Sequence, residues 1–284
     1  MMTPIEYLAI GHVTEDVWPA GNTPGGTVMY AARAARSFVE EVTVLTAAGE
    51  QFDWPSVLPD IEVLRIPTPT TTQFENRYAG GRRTQVTRPV SRRLMADDLT
   101  PTLRRAEIAH LAPVCNEVDP RIVDVMDSGS FVGVTPQGWL RRWDEQGNVV
   151  AGPWDDAVRV LSRADAVVCS IDDIGGDWAL AETWAAQTRL LVVTIGERGC
   201  QAYLHGQRHH VAAPQVQEVE PTGAGDIFAA TLFVSLRQGQ IALAACAYAC
   251  CIAAQSVTRP NLQGIPTPAD IARCSAGLNS DAEA

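Results

Sequence analysis

The chain has 284 residues, 46% hydrophobic and 19% charged, which is enough to bury a sizeable core as one large domain or two ordinary ones. Its formal net charge of −11 argues against a nucleic-acid-binding protein, because neutralising phosphates requires a basic face. All 22 basic residues are arginines, and the absence of lysine excludes Walker A phosphate loops, lysine Schiff bases and pyridoxal-phosphate enzymes.

The seven cysteines show neither a C-x-x-C motif nor paired metal-ligand spacing, and most lie in apolar runs. We therefore expect buried free thiols in a reducing compartment. No stretch of about 18 apolar residues is present, and the first residues lead directly into a strand. The sequence predicts a cytoplasmic protein with neither a signal peptide nor a membrane span.

The amino-terminal segment predicts a β-strand, a helix and a second strand. Residues 7–11 form a short, β-rich apolar run that ends in Gly11, which is typical of a buried central strand. Gly25 and Gly26 then precede an alanine-rich helix at 28–36, and a strand follows at 42–46.

Residues 61–90 are threonine-rich and alternate between apolar and polar side chains. They predict an antiparallel hairpin that turns at Gly80-Gly81. Such a small sheet often forms a lid over a site, and the alternative is a simple extension of a sheet edge. Arg77, Arg82 and Arg83 of this segment would either contact a bound anion or only solubilise the surface.

The rest of the chain alternates strands and helices, which predicts an α/β fold with a mostly parallel sheet covered by helices on both faces. Strands are expected at 108–112, 123–126, 166–169, 190–195, 201–204 and 208–211, and helices at 226–238 and 241–256.

The most informative motif is Pro-Thr-Gly-Ala-Gly-Asp at 221–226, immediately before a helix. Unpaired backbone N–H groups and the dipole at a helix start attract an anion, and the glycines let the chain wrap around it. Asp226, in the first turn, would lie beside that anion as a general base. The alternative is that Asp226 only caps the helix and the glycines only make a turn. Without lysine, a phosphoryl-transferring protein must use amides, Mg²⁺ and arginine, which this loop suits.

These features resemble the ribokinase-like, or PfkB-type, carbohydrate kinases. Glu220 to Asp226 is similar to the family's D-T-x-G-A-G-D helix start, and Gly11, Asp16 and the Gly25-Gly26 pair follow its amino-terminal order. Ser170 and Asp173 stand where the family often has N-x-x-E, and the Thr194 to Gly199 segment looks like its T-x-G-x-x-G nucleotide segment.

The resemblance implies a single three-layer αβα domain over 1–284, with lid strands at about 12–20 and 61–90, and with ATP and Mg²⁺ bound across the carboxyl ends of the strands. It makes Asp226 the base, with Gly223, Ala224 and Gly225 as the anion hole. It implies that the substrate is contacted by Asp16, Gly25, Gly26 and Tyr30. It also implies that the nucleotide is contacted by Ser170, Thr194, Gly196, Gly199, Asn261 and Gly264, and that Asp173 arranges the metal ion.

Three departures from the family pattern bear on the substrate and the ions. Thr27 to Tyr30 replaces the K-G-A-N of sugar-specific members, which disfavours ribose or fructose phosphates and is closer to plant-type inositol kinases. Asp173 is a shorter acid than the usual glutamate. Glu220 replaces the first aspartate of the late motif, so no monovalent-cation site is predicted.

The leading hypothesis is a kinase that phosphorylates a hydroxyl of a neutral sugar, polyol or nucleoside. The alternative is a catalytically weak nucleotide- or sugar-binding regulatory protein on the same fold. Asp226 favours the kinase, because a pure binder needs no base. A dehydrogenase would need G-x-G-x-x-G after the first strand, which is absent. Homodimerisation through the lid is a further expectation, since an exposed sheet edge can pair.

Overall fold

The computed structural model describes residues 4–18, 21–79 and 82–281, with side chains described outside 76–79, 82–83 and 277–281. The strands are β1 Tyr7–Ile10, β2 Thr14–Val17, β3 Thr23–Gly25, β4 Val42–Ala48, β5 Glu62–Pro67, β6 Gln73–Ala79, β7 Arg82–Thr87, β8 Ile108–Leu111, β9 Phe131–Val134, β10 Arg141–Trp143, β11 Val149–Ala151, β12 Ala166–Ser170, β13 Leu190–Thr194, β14 Cys200–Leu204 and β15 Gln207–Val211. The helices are α1 Thr27–Ala35, α2 Trp54–Val57, α3 Ile122–Val125, α4 Ala157–Arg163, α5 Trp178–Ala185, α6 Ala224–Arg237, α7 Ala242–Ser256 and α8 Pro268–Asp281.

The central sheet has nine strands in the order β15-β14-β13-β12-β9-β8-β1-β4-β5. The seven strands from β13 to β5 pair in parallel, and β14 and β15 add an antiparallel edge. The central strands are buried along almost their whole length because helices cover both of their faces. All the parallel strands therefore end at the same edge of the sheet.

Helices pack against both faces of the sheet and make two separate cores. One core contains the buried residues of α1, α6 and α7. The other contains those of α3, α4 and α5, with Trp139 and Trp154 stacked 5.5 Å apart between ring centroids. The predicted three-layer αβα fold is confirmed. The prediction of one domain over 1–284 stays a prediction.

A second sheet, which we call the lid sheet, consists of β3, β2, β6 and β7 in that order. β6 and β7 form the antiparallel hairpin expected from the sequence, and β2 pairs with β6 in parallel. The prediction that lid strands begin at 61 was wrong for β5, which pairs with β4 in the central sheet. The alternating pattern of β5 has another cause: it is an edge strand, so its side chains are only partly covered. Dimerisation through the lid sheet stays a prediction.

Buried polar side chains connect the exit of β1 to the start of the lid sheet. His12 lies two residues after the end of β1 and bonds through Nδ1 to the hydroxyl of Thr72, 2.8 Å away and just before β6. Its Nε2 donates to the carbonyl oxygen of Arg92 at 2.9 Å, so Nδ1 accepts the proton of Thr72. The Glu117 carboxylate is fully buried and accepts bonds from the N–H groups of His12, Val114 and Cys115. These bonds fix where the lid sheet leaves the core.

Two further sequence predictions were wrong. Residues 123–126 were predicted as a strand but belong mostly to α3, because a run of only four alternating residues fits one helical turn equally well. Cys251 and Cys274 are joined in a disulfide between α7 and α8, whose packing brings their Cα atoms to 5.7 Å, whereas five other cysteines are buried free thiols as predicted.

Part of the predicted hairpin lies outside the described residues. This applies to the turn at Gly80-Gly81 and to the side chains of Arg77, Arg82 and Arg83. Among the residues that are described, no helix has the length and apolar character needed to cross a membrane.

Candidate active site

A cavity of about 660 Å³ opens at the carboxyl ends of β9, β12 and β13 and reaches the lid sheet. In open α/β sheets, this is the edge where ligands bind. The cavity brings together most of the residues that the sequence singled out. These are Asp16, Gly26, Tyr30, Ser170, Asp173, Thr194, Gly196, Gly223, Ala224, Gly225 and Asp226.

Asp226 lies in the first turn of α6 and is partly exposed to the cavity. Burial raises the pKa of its carboxyl group to about 7, and the nearby charge of Asp173 adds to the rise. A hydrogen bond from the Thr27 hydroxyl and the positive charge of Arg141 act in the opposite direction. A carboxylate with such a pKa accepts a proton more readily than an ordinary aspartate near neutral pH.

The loop before α6 requires glycine at its centre. Gly223 has a φ of +81°, and a Cβ there would lie 2.2 Å from the ring of Tyr30. The Ala224 N–H donates to the carbonyl oxygen of Pro221 at 3.1 Å, whereas the N–H groups of a first helical turn have no partner inside the helix. A side chain added at Gly225 would meet only open space, so an anion can approach the backbone closely there.

Tyr30 closes the loop from the opposite side. The residue is 6% exposed, lines the cavity and packs its ring on Gly223. Burial raises the pKa of its phenol to about 12, with further contributions from the charges of Asp226 and Asp16. Tyr30 therefore stays neutral and supports the conformation of the glycine loop.

Asp16 approaches the cavity from the lid sheet. In the β2–β3 pair, Asp16 faces Thr23, and a Cβ on Gly25 would lie 2.9 Å from Asp16 Oδ2. Gly26, with a φ of +97°, immediately precedes α1, and a Cβ there would clash with the carbonyl oxygen of His12. Gly25 itself does not line the cavity, but its lack of a side chain leaves room for the Asp16 carboxylate.

Ser170 and Asp173 form a reciprocal turn after β12. The Ser170 N–H donates to Asp173 Oδ2 at 2.8 Å, and the Asp173 N–H donates to Ser170 Oγ at 3.0 Å. Gln137 donates to the other carboxylate oxygen, Oδ1, at 3.2 Å. These bonds orient Asp173 toward the cavity it lines. Within the described ranges, no group of three or more His, Cys, Asp or Glu side chains is arranged to hold a metal ion.

A second, smaller cavity of about 170 Å³ shares Thr194, Gly196, Ala224 and Gly225 with the first. Gly199 also lines it, and its apolar wall comes from α6, α7 and the segment after β15. The residues of that wall are Val216, Phe228, Ala253, Ala254 and Val257. The two cavities therefore adjoin, and we refer to them together as the cleft, with a polar and an apolar end.

Asn261 and Gly264 do not line either cavity. They form a short turn after α7, and Gly264 is buried where a Cβ would lie 2.7 Å from the carbonyl oxygen of Ser256. Within the carboxyl-terminal region, α7 provides the wall of the smaller cavity through Ala253 and Ala254. The turn containing Asn261 follows α7 in the chain and lies outside the cleft.

Sequence reasoning missed several polar residues that line the larger cavity, among them Thr27, Thr135, Gln137 and Arg141. Arg141 donates to the carbonyl oxygen of Val114 at 3.1 Å, and its guanidinium lies 6.0 Å from the centroid of the Phe74 ring. A signal was present, because Thr135 directly follows the apolar strand β9 and begins the run Thr-Pro-Gln-Gly-Trp-Leu-Arg. Polar residues after a buried parallel strand belong at the ligand-binding edge.

Comparison with known proteins gives a family for part of the chain. Residues 164–270 match the model of the pfkB family carbohydrate kinases. Fructokinase-1 of rice, Oryza sativa subsp. japonica, is 28% identical over 142 residues, which is 46% of this chain and 44% of that protein. The chain thus spans about half the length of the curated relatives it matches.

Solved structures extend the likeness to nearly the whole chain. A pyrophosphate-dependent myo-inositol-1 kinase converted into a myo-inositol-3 kinase has a TM-score of 0.79 at 18% identity, covering 95% of this chain and 99% of that one. A fructokinase of Xylella fastidiosa with bound ATP has a TM-score of 0.74 at 17% identity, covering 97% and 99%. At these identities the likeness establishes the fold.

Proposed function

We propose that this chain, which belongs to the pfkB family of ribokinase-like proteins, is an ATP-dependent kinase that phosphorylates a hydroxyl group of a small neutral sugar, polyol or nucleoside. The observation that carries the proposal is the position of Asp226 together with its raised pKa. Its carboxyl group lies at the start of α6, between a glycine loop suited to phosphate and a cavity large enough for a small molecule, with its pKa raised to about 7.

The chemistry follows from the positions of these groups. Asp226 takes the proton of the acceptor hydroxyl while the hydroxyl oxygen attacks the γ-phosphorus atom of ATP. The bond from this phosphorus to the β,γ-bridging oxygen breaks, which releases ADP. The first-turn amides beside Gly225 stabilise the charge on the transferring phosphoryl group. The Thr27 hydroxyl orients the Asp226 carboxylate by donating a hydrogen bond to it.

The smaller cavity supports ATP as the donor. Its apolar wall of Ala253, Ala254 and Val257 suits a purine ring, and it joins the glycine loop through Gly225. Pyrophosphate, the donor named for the myo-inositol kinase above, has no group that would use this wall. Thr194, Gly196 and Gly199 would then contact the nucleotide.

Mg²⁺ fits the polar end of the cleft. A magnesium ion in such sites is held by one or two carboxylates, by water and by the donor phosphates, and Asp173 supplies a carboxylate already oriented by Ser170 and Gln137. The ion would neutralise negative charge on the phosphates. Asp173 would hold it largely through water, because both of its oxygens accept protein hydrogen bonds.

The charge of the larger cavity supports a neutral acceptor. Four carboxylates line it, from Asp16, Asp172, Asp173 and Asp226, against the guanidinium groups of Arg141 and Arg198. A phosphorylated or acidic acceptor would be repelled by this excess. Asp16 would accept hydrogen bonds from hydroxyl groups of the acceptor.

The test is ADP release from MgATP in the presence of polyols, sugars and nucleosides, with pyrophosphate compared as donor. One compound should stimulate turnover, and Asp226→Asn should lower kcat by about 10²-fold or more through loss of the base. Asp97→Asn, at an exposed acid outside the cleft, is the matched control and should retain activity. If ATP and a polyol bind without turnover, the chain is the regulatory binding protein instead; turnover that survives in Asp226→Asn would contradict the assigned base.

A further inference from the structure

A chain of buried hydrogen bonds runs from the core to the wall of the larger cavity, and the proposed mechanism leaves it unused. Tyr7 on β1 bonds through its hydroxyl to His110 Nδ1 on β8 at 2.7 Å. His110 Nε2 bonds to the hydroxyl of Thr135 at 2.9 Å, directly after β9. Tyr7 and His110 are 0% exposed, and Thr135 is 7% exposed where it lines the cavity.

The direction of these hydrogen bonds follows from the burial of Tyr7. In the part of the chain that the structure describes, His110 is the hydrogen-bonding partner found for the Tyr7 hydroxyl. If Nδ1 carried a proton and donated it to Tyr7, the phenolic proton would stay buried without an acceptor, which is unfavourable because the lost hydrogen bonds to water would not be replaced. Tyr7 therefore donates to Nδ1, and the proton of His110 lies on Nε2.

This tautomer determines what Thr135 presents to the cavity. Because His110 Nε2–H donates, the Thr135 oxygen is the acceptor of that bond and keeps its own proton for another partner. The ring of His110 is held between Tyr7 and Phe233, with centroid distances of 6.0 and 5.0 Å. Burial lowers the pKa of His110 to about 3, so the imidazole stays neutral and the direction does not change near neutral pH.

We infer that Thr135 is a specificity-determining residue that donates a hydrogen bond to one oxygen of the acceptor, and that Tyr7 and His110 are positioning residues that keep it a donor. The inference rests on the proposed function, since it assigns a contact within the same cavity. The ligand group must be a hydrogen-bond acceptor, because Thr135 donates its proton, and in a sugar or polyol that group is a hydroxyl or carbonyl oxygen. A deoxy analogue lacking that oxygen is discriminated against.

The first experiment compares Thr135→Val with Thr135→Ser, using the acceptor found in the panel and its monodeoxy analogues. Thr135→Val keeps the shape but removes the donor, and we expect the acceptor KM to rise about 10-fold or more with kcat and the KM for ATP changed much less. Thr135→Ser should stay within about 3-fold, because it keeps the hydroxyl. Thr183→Val, on the exposed face of α5, is the matched control.

The deoxy analogues separate a contact from a merely structural role. With the unmodified protein, one analogue should have a KM about 10-fold higher than that of the parent acceptor. With Thr135→Val, the same analogue and the parent acceptor should have equal KM values, because the variant no longer donates to the oxygen that the analogue lacks. A penalty that is the same in both proteins overturns the inference. So does a Thr135→Val protein with an unchanged acceptor KM.

Tyr7→Phe tests the positioning chain, since it removes the donor to Nδ1 and lets His110 adopt the other tautomer. The acceptor KM should rise by about 2- to 10-fold in Tyr7→Phe but should not rise further when Tyr7→Phe is added to Thr135→Val. If the effects of Tyr7→Phe and Thr135→Val on the acceptor KM add, Tyr7 and His110 do not position Thr135. Only the contact of Thr135 with the acceptor would then stand.

A calorimetric titration in the Asp226→Asn background distinguishes failure of this inference from failure of the proposed function. If the acceptor binds but is never phosphorylated by the unmodified protein, the kinase proposal fails, while a weaker affinity in Thr135→Val still supports the contact. If turnover is normal and Thr135→Val binds the acceptor as before, the kinase stands and the inference falls. If no panel compound binds or reacts, both fall.

Discussion

The cleft has two walls that come from different parts of the chain. The wall that we propose for the donor, here called the donor wall, lies within residues 164–270, the stretch that matches the family model, and contains the glycine loop, Thr194 and the apolar face of α7. The wall that we propose for the acceptor, here called the acceptor wall, comes from earlier residues, among them Asp16, Tyr30 and Thr135, which the family model does not reach. Asp226 lies where the walls meet.

This difference separates shared chemistry from individual specificity. A donor with the same phosphates needs the same backbone amides, so the loop before α6 keeps a recognisable pattern. An acceptor is read by side chains whose identity changes with the substrate. We therefore expect substitutions in the donor wall to alter the use of ATP with any acceptor, and those in the acceptor wall to change which acceptor is used.

The largest effect is expected at the loop between the walls. Gly223→Ala places a Cβ at a φ of +81° and 2.2 Å from the Tyr30 ring, so kcat should fall by about 10²-fold or more, as when an oxyanion donor is lost. Steady-state kinetics measures the loss. Tyr30→Ala added to Gly223→Ala should relieve the clash but not the backbone strain. Full recovery would show that the conformation of Gly223 is unimportant.

Asp226, where the two walls meet, should control the pH dependence of kcat/KM. With a pKa of about 7, Asp226 is protonated below neutral pH, so kcat/KM should fall by up to about 10-fold for each pH unit below 7 and level off above it. The measurement is a pH–rate profile from pH 5 to 9. A flat profile between pH 5 and 7 would contradict the raised pKa of the free protein.

A substitution confined to the donor wall should act on ATP alone. Ala254 is 8% exposed and lines the apolar end of the cleft, so Ala254→Leu should fill that space and raise the KM for ATP by about 5- to 10-fold. Ala179→Leu on the surface of α5 is the control. If pyrophosphate supports turnover and Ala254→Leu changes nothing, the apolar wall is not a purine site and the comparison of walls fails.

The smallest effect concerns stability. The pKa of Asp226 is raised on folding, so between about pH 4 and pH 7 the unfolded chain is ionised at this position while the folded protein holds the proton. Stability is therefore lost as the pH rises through this window. Asp226→Asn removes the penalty, and its melting temperature should exceed that of the parent by roughly 2–8 °C at pH 8 and by less at pH 5. A constant difference at both pH values would contradict this assignment.

The sequence was most informative where backbone chemistry dictates residue type. β1, β12 and β13 were predictable as short, mainly apolar runs, and the start of α6 was predictable because a tight glycine loop before a helix has few other uses. It was least informative at edges and in short segments. The alternating residues of β5 fit a lid strand or an edge strand of the central sheet. The few residues of α3 fit the repeat of a helix and that of a strand equally well.

The acceptor wall could not be assembled from sequence for a geometric reason. Thr135, Gln137 and Arg141 lie more than a hundred residues from Asp16, and only the sheet order β9-β8-β1 brings their segments together. The Tyr7–His110–Thr135 chain likewise crosses three neighbouring strands that are far apart in sequence. The disulfide between Cys251 and Cys274 depends on how α7 and α8 pack, which no local pattern encodes.

The parallel pairing of β2 with β6 has a consequence for the order of folding. It joins residues 58 positions apart, Glu15 and Gln73, and the chain between them contributes α1, β4 and β5 to the main body. A contact that closes so long a loop gains little until the intervening elements are in place. The lid sheet should therefore assemble late, and in native-state hydrogen exchange its amides should open at lower free energy than those of β1 or β8. The part of the molecule that borders the larger cavity is then also the part that should open without unfolding the rest.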